Sequence, residues 1–411
     1  MTCPRTKSRL DWGRWVTSHS LSEEPIHRWY YFPHSFTPAL VSSLIHEWRL
    51  GAPDSILDPF CGAGTTIVTA RAEGVPAVGR DLSPLAAFVT RTKIRDYLPE
   101  VLRDTWRILK ARMSGEEWQS PRKSYPSLLR QALPGRLLAA FEAIGRDIDE
   151  TARSDEVRDF FRLALLAVLP RYSRAVRSGG WLRWIKKRAN VCSVVSVLDQ
   201  QIGLMLRDLD SAACPKSGDW RAEIGDARRL PDAADTYSAI ITSPPYPNRH
   251  DYTRVFGVEL MLAFVDCEAA KRLRYQSFHS HPEARPTRPE ASGYQQPPSL
   301  KRALAVIKRE ATDTRIPAML DGYFLDMFLC LAELKRVAKA GAKLALVVGN
   351  ARYCGQTVLV DRLTAELGQQ VGLRCNEIIA VRFRGNSAQQ MGKYGRSPSR
   401  ESIVVFEKPA A

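Results

Sequence analysis

The sequence has no apolar run long enough to cross a bilayer. Its most apolar helical stretch, Phe160 to Pro170, is interrupted by Arg162 and falls far short of the ~20 residues a span needs. The first thirty residues carry basic groups without an apolar run of signal-peptide type, which speaks against secretion. Cysteine is sparse as well: the 411 residues hold eight (Cys3, Cys61, Cys192, Cys214, Cys267, Cys330, Cys354 and Cys375), and no C-x-x-C pair. That scatter gives no metal-ligand spacing, so no metal is expected, and it suits reduced thiols in a cytoplasm. Acid is short relative to base, with 44 Asp+Glu against 60 Lys+Arg and a net charge of +16. Such a surface attracts polyanions, nucleic acid first, although anionic membranes and acidic proteins share that chemistry. The 45% hydrophobic content is ample for a packed core and excludes wholesale disorder. By length the chain is two or three compact units, or one large α/β domain with insertions.

Short apolar runs separated by helix-length segments mark the strands. They are Ser55 to Phe60, Ala77 to Asp81, Ala222 to Gly225, Ser238 to Thr242, Lys343 to Gly349, Glu377 to Phe383 and Ser402 to Glu407. A helix is expected from Thr65 to Glu73, closed by Gly74. Strands alternating with helices predict an α/β fold with a mostly parallel sheet covered on both faces. The last two runs are joined by a Gly/Ser/Gln-rich loop, which predicts an antiparallel final pair. Two stretches break the alternation. Residues 97–218 read as a helical insertion containing the acid-free basic and aromatic run from Arg171 to Arg188, with Trp181 and Trp184 inside it. Residues 268–320 are rich in Pro, His and Arg and form a second insertion. The sheet domain is thus expected in two parts, 1–96 and 219–411.

Asp58-Pro59-Phe60-Cys61-Gly62-Ala63-Gly64-Thr65-Thr66 sits where a strand turns into a helix. Its glycines allow a tight turn and close backbone approach, and the helix N-terminus offers unpaired N–H groups, so a nucleotide-like cofactor is the functional reading. The motif is not a phosphate P-loop, and Ile67 stands where a dinucleotide G-x-G-x-x-G would need its third glycine. Asp81 ends the next strand 17 residues after Gly64, as suits a carboxylate accepting from ribose hydroxyls. Asp226 ends a third strand, within reach of an adenine amine on the functional reading and plain turn chemistry otherwise.

A second motif, Thr242-Ser243-Pro244-Pro245-Tyr246, follows the strand Ala239-Ile240-Ile241. Two prolines forbid a helix and fix an extended turn. Ser243 Oγ and the Pro244 carbonyl are then able to converge as acceptors on one amino group, with Tyr246 as a stacking face. The bland alternative is an ordinary strand terminator.

The two motifs, placed after strands and joined by Asp81, resemble the signature pair of the S-adenosylmethionine-dependent DNA methyltransferases that methylate exocyclic amines. The resemblance spans residues 26–96, 221–262 and 321–408, and Phe36-Thr37-Pro38 more weakly resembles the segment that holds the methionine end. It implies a Rossmann-like class I methyltransferase fold. It implies cofactor contacts by Asp58, Pro59, Phe60, Cys61, Gly62, Gly64 and Thr65 with Thr37 beyond them, by Asp81 at the ribose and by Asp226 at the adenine. The catalytic residues it implies are Ser243, Pro244, Pro245 and Tyr246. Ser243 stands where most cytosine-N4 enzymes have Ser and most adenine-N6 enzymes have Asp or Asn. A C5 enzyme needs a nucleophilic Cys after Pro, and no Pro-Cys dipeptide occurs. The expected partner is double-stranded DNA with its target base flipped, in a nucleoid-associated cytoplasmic protein with no membrane attachment and, in a restriction system, a cognate endonuclease. Order departs from many N4 enzymes, since the cofactor motif comes first.

Candidate target-recognition segments are 171–188, including Arg183, Lys186, Lys187 and Arg188, and 268–320, with Arg249, His250, Asp251 and Tyr252 near the base. The competing reading of 171–188 is a helix pair with Trp181 and Trp184 turned inward. Arg382, Arg384, Lys393, Arg396 and Arg400 read as an acid-free loop with Ser387, Gln389 and Gln390, gripping DNA or merely solvated. Three other functions stay open: an adenine-N6 or RNA methyltransferase with the same site, a nicotinamide-dependent oxidoreductase, and a non-catalytic nucleic-acid binder. The intact Ser243 and Tyr246 weigh against the last.

Overall fold

A computed structural model describes residues 6–114, 118–186, 193–211, 218–385 and 392–410. Strand β1 (Thr6–Ser8) and helix α1 (Pro38–Trp48) precede β2 (Ile56–Asp58), α2 (Thr65–Ala72), β3 (Ala77–Asp81) and α3 (Pro84–Lys93). The helical insertion follows as α4 (Pro99–Met113), α5 (Ser127–Ala132), α6 (Arg136–Thr151) and α7 (Asp155–Tyr172), then β4 (Ala175–Ser178), β5 (Trp181–Trp184) and α8 (Ser193–Ser211). The chain returns to the sheet with β6 (Trp220–Ile224) and β7 (Tyr237–Thr242). It continues through α9 (Tyr252–Val255), α10 (Gly257–Ala263), α11 (Cys267–Gln276), α12 (Pro298–Glu310) and α13 (Arg315–Val337). The closing elements are β8 (Ala338–Gly349), the small pair β9 (Ala351–Tyr353) and β10 (Gln356–Val358), α14 (Val360–Gln370), β11 (Arg374–Arg384) and β12 (Ser399–Glu407).

Eight strands form the main sheet in the order β1-β11-β12-β8-β7-β2-β3-β6. All run parallel except β12, which lies antiparallel between β8 and β11. This is a Rossmann-like, mostly parallel sheet, with the antiparallel final pair that the Gly/Ser/Gln-rich connection predicts. Alternate residues of each strand feed two cores. Ile56, Ala239, Ile241, Val347 and Ile403 face α1 to α8, whereas Leu57, Ile240, Leu346, Val404 and Phe406 face α13 and α14. Burial on both faces is why these strands read as continuous apolar runs. Chain order reverses between β2 and β7, so the crevice at their carboxyl ends is where a ligand site is expected in such a sheet.

Two readings need correction. Over 171–186 the competing helix-pair reading is wrong: α7 ends at Tyr172 and β4 and β5 pair as an antiparallel hairpin, with Trp181 and Trp184 exposed. The physical reason is Gly179-Gly180, whose positive φ of 58° at Gly179 makes the turn. Of the basic residues near the C-terminus, Lys393 and Arg396 lie in the connection between the last two strands, but three others do not. Arg382, Arg384 and Arg400 lie in paired strands, the first two beside Glu401 at 3.5 and 3.6 Å and the third on Asp361 at 2.7 Å. Lys187, Arg188, Ser387, Gln389, Gln390, Cys3, Cys192 and Cys214 lie outside the described residues. Among the described residues no helix is long and apolar enough to cross a membrane.

Candidate active site

Strand β2 delivers Asp58 to the crevice, and the chain then turns sharply through Gly62, at φ +52°, into α2. Asp58 is 2% exposed, and its oxygens accept from Phe60 N at 3.1 Å, Thr66 Oγ1 at 2.7 Å and Thr242 Oγ1 at 2.6 Å. Burial pushes its carboxyl up to about 6 despite those donors. Asp58 therefore ties the first motif to the second and is a positioning residue, rather than one with a free carboxylate for a ligand.

Asp81 occupies the end of β3. Its Oδ2 accepts from Gly62 N at 3.0 Å and its Oδ1 from Ser83 N at 2.9 Å, while burial lifts its carboxyl to about 6. Each oxygen keeps a lone pair directed away from these donors. Around it an elongated, mainly apolar cleft is walled by Phe32, Phe36, Phe60, Tyr252, Phe256 and Phe278, with Asp226 at its far end. Phe60 and Phe278 meet edge to face, their centroids 5.7 Å apart. A Cβ on Gly62 would meet nothing nearer than 4.0 Å on this side, so the turn leaves room for a ligand to lie against the backbone.

Asp226 is oriented by its neighbour. Arg228 donates to both of its oxygens, at 2.9 and 2.7 Å, and approaches the fully buried Asp326 at 3.3 Å. Burial alone would raise the Asp326 carboxyl, but His279, Arg228 and Arg288 hold it below the ordinary aspartate value. The Asp226 side chain stays one-third exposed toward the cleft, so further acceptance is open to it.

The second motif lies between this cleft and a neighbouring cavity. Ser243 lines both, while Pro244, Tyr246, His250, Arg384 and Glu401 line the cavity. Ser243 Oγ donates its proton to the Val347 carbonyl at 3.2 Å and also hydrogen-bonds the Tyr246 side chain, so the hydroxyl still has acceptor capacity. The Tyr246 ring carries the Arg384 guanidinium above it at 5.5 Å, and burial raises its phenol well beyond the usual range. His34 and His250 face each other with centroids 4.8 Å apart, and burial drives His250 down to about 4, so it is neutral near pH 7.

Of the residues expected from sequence, Asp58, Pro59, Phe60, Cys61, Gly62, Thr65, Asp81, Asp226, Ser243 and Pro245 line the cleft, and Pro244 and Tyr246 the cavity beside it. Two expected ligands turn away. Thr37 donates from both N and Oγ1 to the Trp15 carbonyl, at 2.7 and 3.2 Å, and leaves the cleft to Ser35 and Phe36. Gly64 faces α3, where a Cβ would come within 2.7 Å of Thr90, so its glycine serves helix packing. Phe32, His34, Phe256 and Phe278 are not among the residues the sequence singles out, whereas Arg384, a candidate there, does line the cavity. The aromatic run Tyr30-Tyr31-Phe32 is a usable signal for the first of these, whereas Phe278 arrives only through tertiary packing.

Sheet order and switch-point cleft together define a Rossmann-like α/β fold with a ligand cleft at the carboxyl ends of β2 and β7. Two relatives match almost the whole chain. The Type II methyltransferase M.BsoBI of Geobacillus stearothermophilus is 28% identical, covering 96% of this chain and 88% of that protein. The Type II methyltransferase M.AvaI of Nostoc sp. is also 28% identical, covering 96% of this chain and 89% of its own length. No protein-family model matches. A solved S-adenosylmethionine-dependent methyltransferase from Methanosarcina mazei aligns over 90% of this chain and 98% of its own, at 9% identity and a TM-score of 0.32.

Proposed function

We propose that this protein is a DNA methyltransferase of restriction-modification type that methylates the exocyclic amine of a flipped base, cytosine N4 in the first instance. The observation that carries the reading is Ser243. It sits between the cleft and the cavity with its hydroxyl proton already given to Val347, so it faces the cavity as an acceptor beside the Pro244 carbonyl.

S-adenosylmethionine is the cofactor, and it supplies an electrophilic methyl group. Its shape suits the cleft: an apolar, aromatic-walled slot for a base, a carboxylate at a strand end for ribose hydroxyls, and an open glycine turn. Phe60, Gly62, Asp81 and Asp226 would hold it.

The amine of cytosine delocalises its lone pair into the ring and is a weak nucleophile. Ser243 Oγ and the Pro244 carbonyl would accept hydrogen bonds from its two N–H groups and favour a tetrahedral nitrogen, whose lone pair is then free to form the N–C bond while one of the two held protons leaves to solvent. Tyr246 stacks on the extruded ring, offsetting part of the few kcal/mol that flipping costs. Neutral His250 and His34 line the entrance without adding charge near the base.

Expression in cells that lack DNA methylation, followed by digestion of their DNA and mass spectrometry of nucleosides, tests the reading. N4-methylcytosine supports it, N6-methyladenine overturns the choice of base, and an unmodified digest overturns the activity.

A further inference from the structure

The β4–β5 hairpin has two unlike faces. On the inner face Arg177 ion-pairs with buried Glu259, reaches the Tyr30 hydroxyl at 3.0 Å and lies over the Phe256 ring at 4.3 Å. Phe256 is a wall of the cofactor cleft, and Leu182 packs beside it on the core. The register places Trp181 and Arg183 on the opposite, outer face, where Trp181 is 63% exposed and Arg183 is exposed. Trp184 shares the Arg177 and Leu182 face by register yet is exposed, and Lys186 just beyond the strand is exposed as well. Among the described residues no carboxylate pairs with Arg174, Arg183 or Lys186.

The hairpin tip touches the target cavity. A Cβ on Gly180 would lie 2.7 Å from the His250 ring and 3.1 Å from the Arg249 carbonyl, so the turn seats directly on a residue lining that cavity. An indole normally buries most of its surface, and here one stands in water among unpaired cations at the mouth of the site. Extruding a base leaves its neighbours in the duplex with an open stacking face. An aromatic ring with cations beside it matches that face and the phosphates that flank it.

We propose that the β4–β5 hairpin is a DNA-contacting arm, in which Trp181 stacks on a base next to the flipped one and Arg183 contacts a flanking phosphate. The inference rests on the reading of the site as a DNA methyltransferase. Arg177 anchors the arm to the wall of the cofactor cleft, which sets its distance from Ser243.

Anisotropy of a labelled duplex containing the methylated sequence, titrated with full-length protein at several salt concentrations, tests the arm. Trp181→Ala is expected to weaken binding about tenfold or more at an unchanged salt slope. Arg183→Ala is expected to flatten the slope of log affinity against log salt by about 0.9, one phosphate contact. Both side chains are exposed, and thermal melts of the two variants should match the unaltered chain. Wild-type affinity and slope in both variants overturn the arm, as does an unaltered chain that binds no duplex. The failures separate: unchanged binding in the variants with methyl transfer intact removes the arm alone. Absence of methyl transfer by the unaltered chain removes the parent reading and the arm with it.

Discussion

Thr242 Oγ1 donates to Asp58 Oδ1 at 2.6 Å, and this one bond joins the cofactor turn to the catalytic turn across neighbouring strands. Thr66 Oγ1 holds the other carboxylate oxygen and also reaches the Ile241 carbonyl at 3.3 Å, so helix α2 is pinned to the same junction. The position of Ser243 relative to the cleft thus depends on a buried carboxylate already engaged by three donors from the two motifs.

Thr242→Val keeps the volume and removes the donor. The buried Asp58 oxygen loses its partner, at a cost of about 1–3 kcal/mol of stability. The expected result is a lower midpoint in thermal melting together with reduced methyl transfer.

Cofactor affinity should depend on the ionisation of Asp81. Its carboxyl titrates at about 6 because it is buried, and protonation replaces an acceptor with a donor at the ribose position. Affinity measured by calorimetry is expected to fall about tenfold per pH unit below that value, and Asp81→Asn to bind weakly with the pH dependence gone. Stability of the cofactor-free chain runs the other way. The folded value lies above the unfolded one, so the Asp81 contribution is fully present below the unfolded aspartate value and is lost as pH rises through about 6.

Ser243→Ala deletes one of the two acceptors for the amine. A roughly hundredfold loss in the rate of methyl transfer is expected, with cofactor binding retained. Tyr246→Ala removes the stacking face and should weaken capture of the extruded base about tenfold. Single-turnover transfer and cofactor calorimetry separate the two effects.

Asp326→Asn tests the support behind Asp226. The substitution leaves Arg228 and Arg288 without their buried anion, costing about 3 kcal/mol of stability. Because Arg228 aims Asp226, cofactor affinity is expected to drop as well, and Arg288→Met, which leaves the Arg228 contacts in place, should affect affinity less.

What could be read from the sequence was local. Asp58 to Thr65, Asp81 and Ser243 to Tyr246 each sit at the end of an apolar strand, and sheet geometry brings strand ends together at the switch point. Facing was harder. Thr37 and Gly64 belong to the right segments but point into Trp15 and Thr90, because neighbouring packing decides which side of a turn meets a ligand. The hairpin at 175–184 was obscured by its arginines, although Gly179-Gly180 between short alternating runs was the signal for it. Arg382, Arg384 and Arg400 looked unpaired because Glu401 and Asp361 reach them from other elements.

The central claim concerns one nitrogen atom. Purified protein incubated with duplex DNA and S-adenosylmethionine carrying an isotopically labelled methyl group, then digested to nucleosides, reports where the label goes. The account predicts label on N4 of cytosine and its loss in Ser243→Ala. Label on cytosine C5, or transfer that survives removal of both Ser243 and Tyr246 side chains, would contradict it.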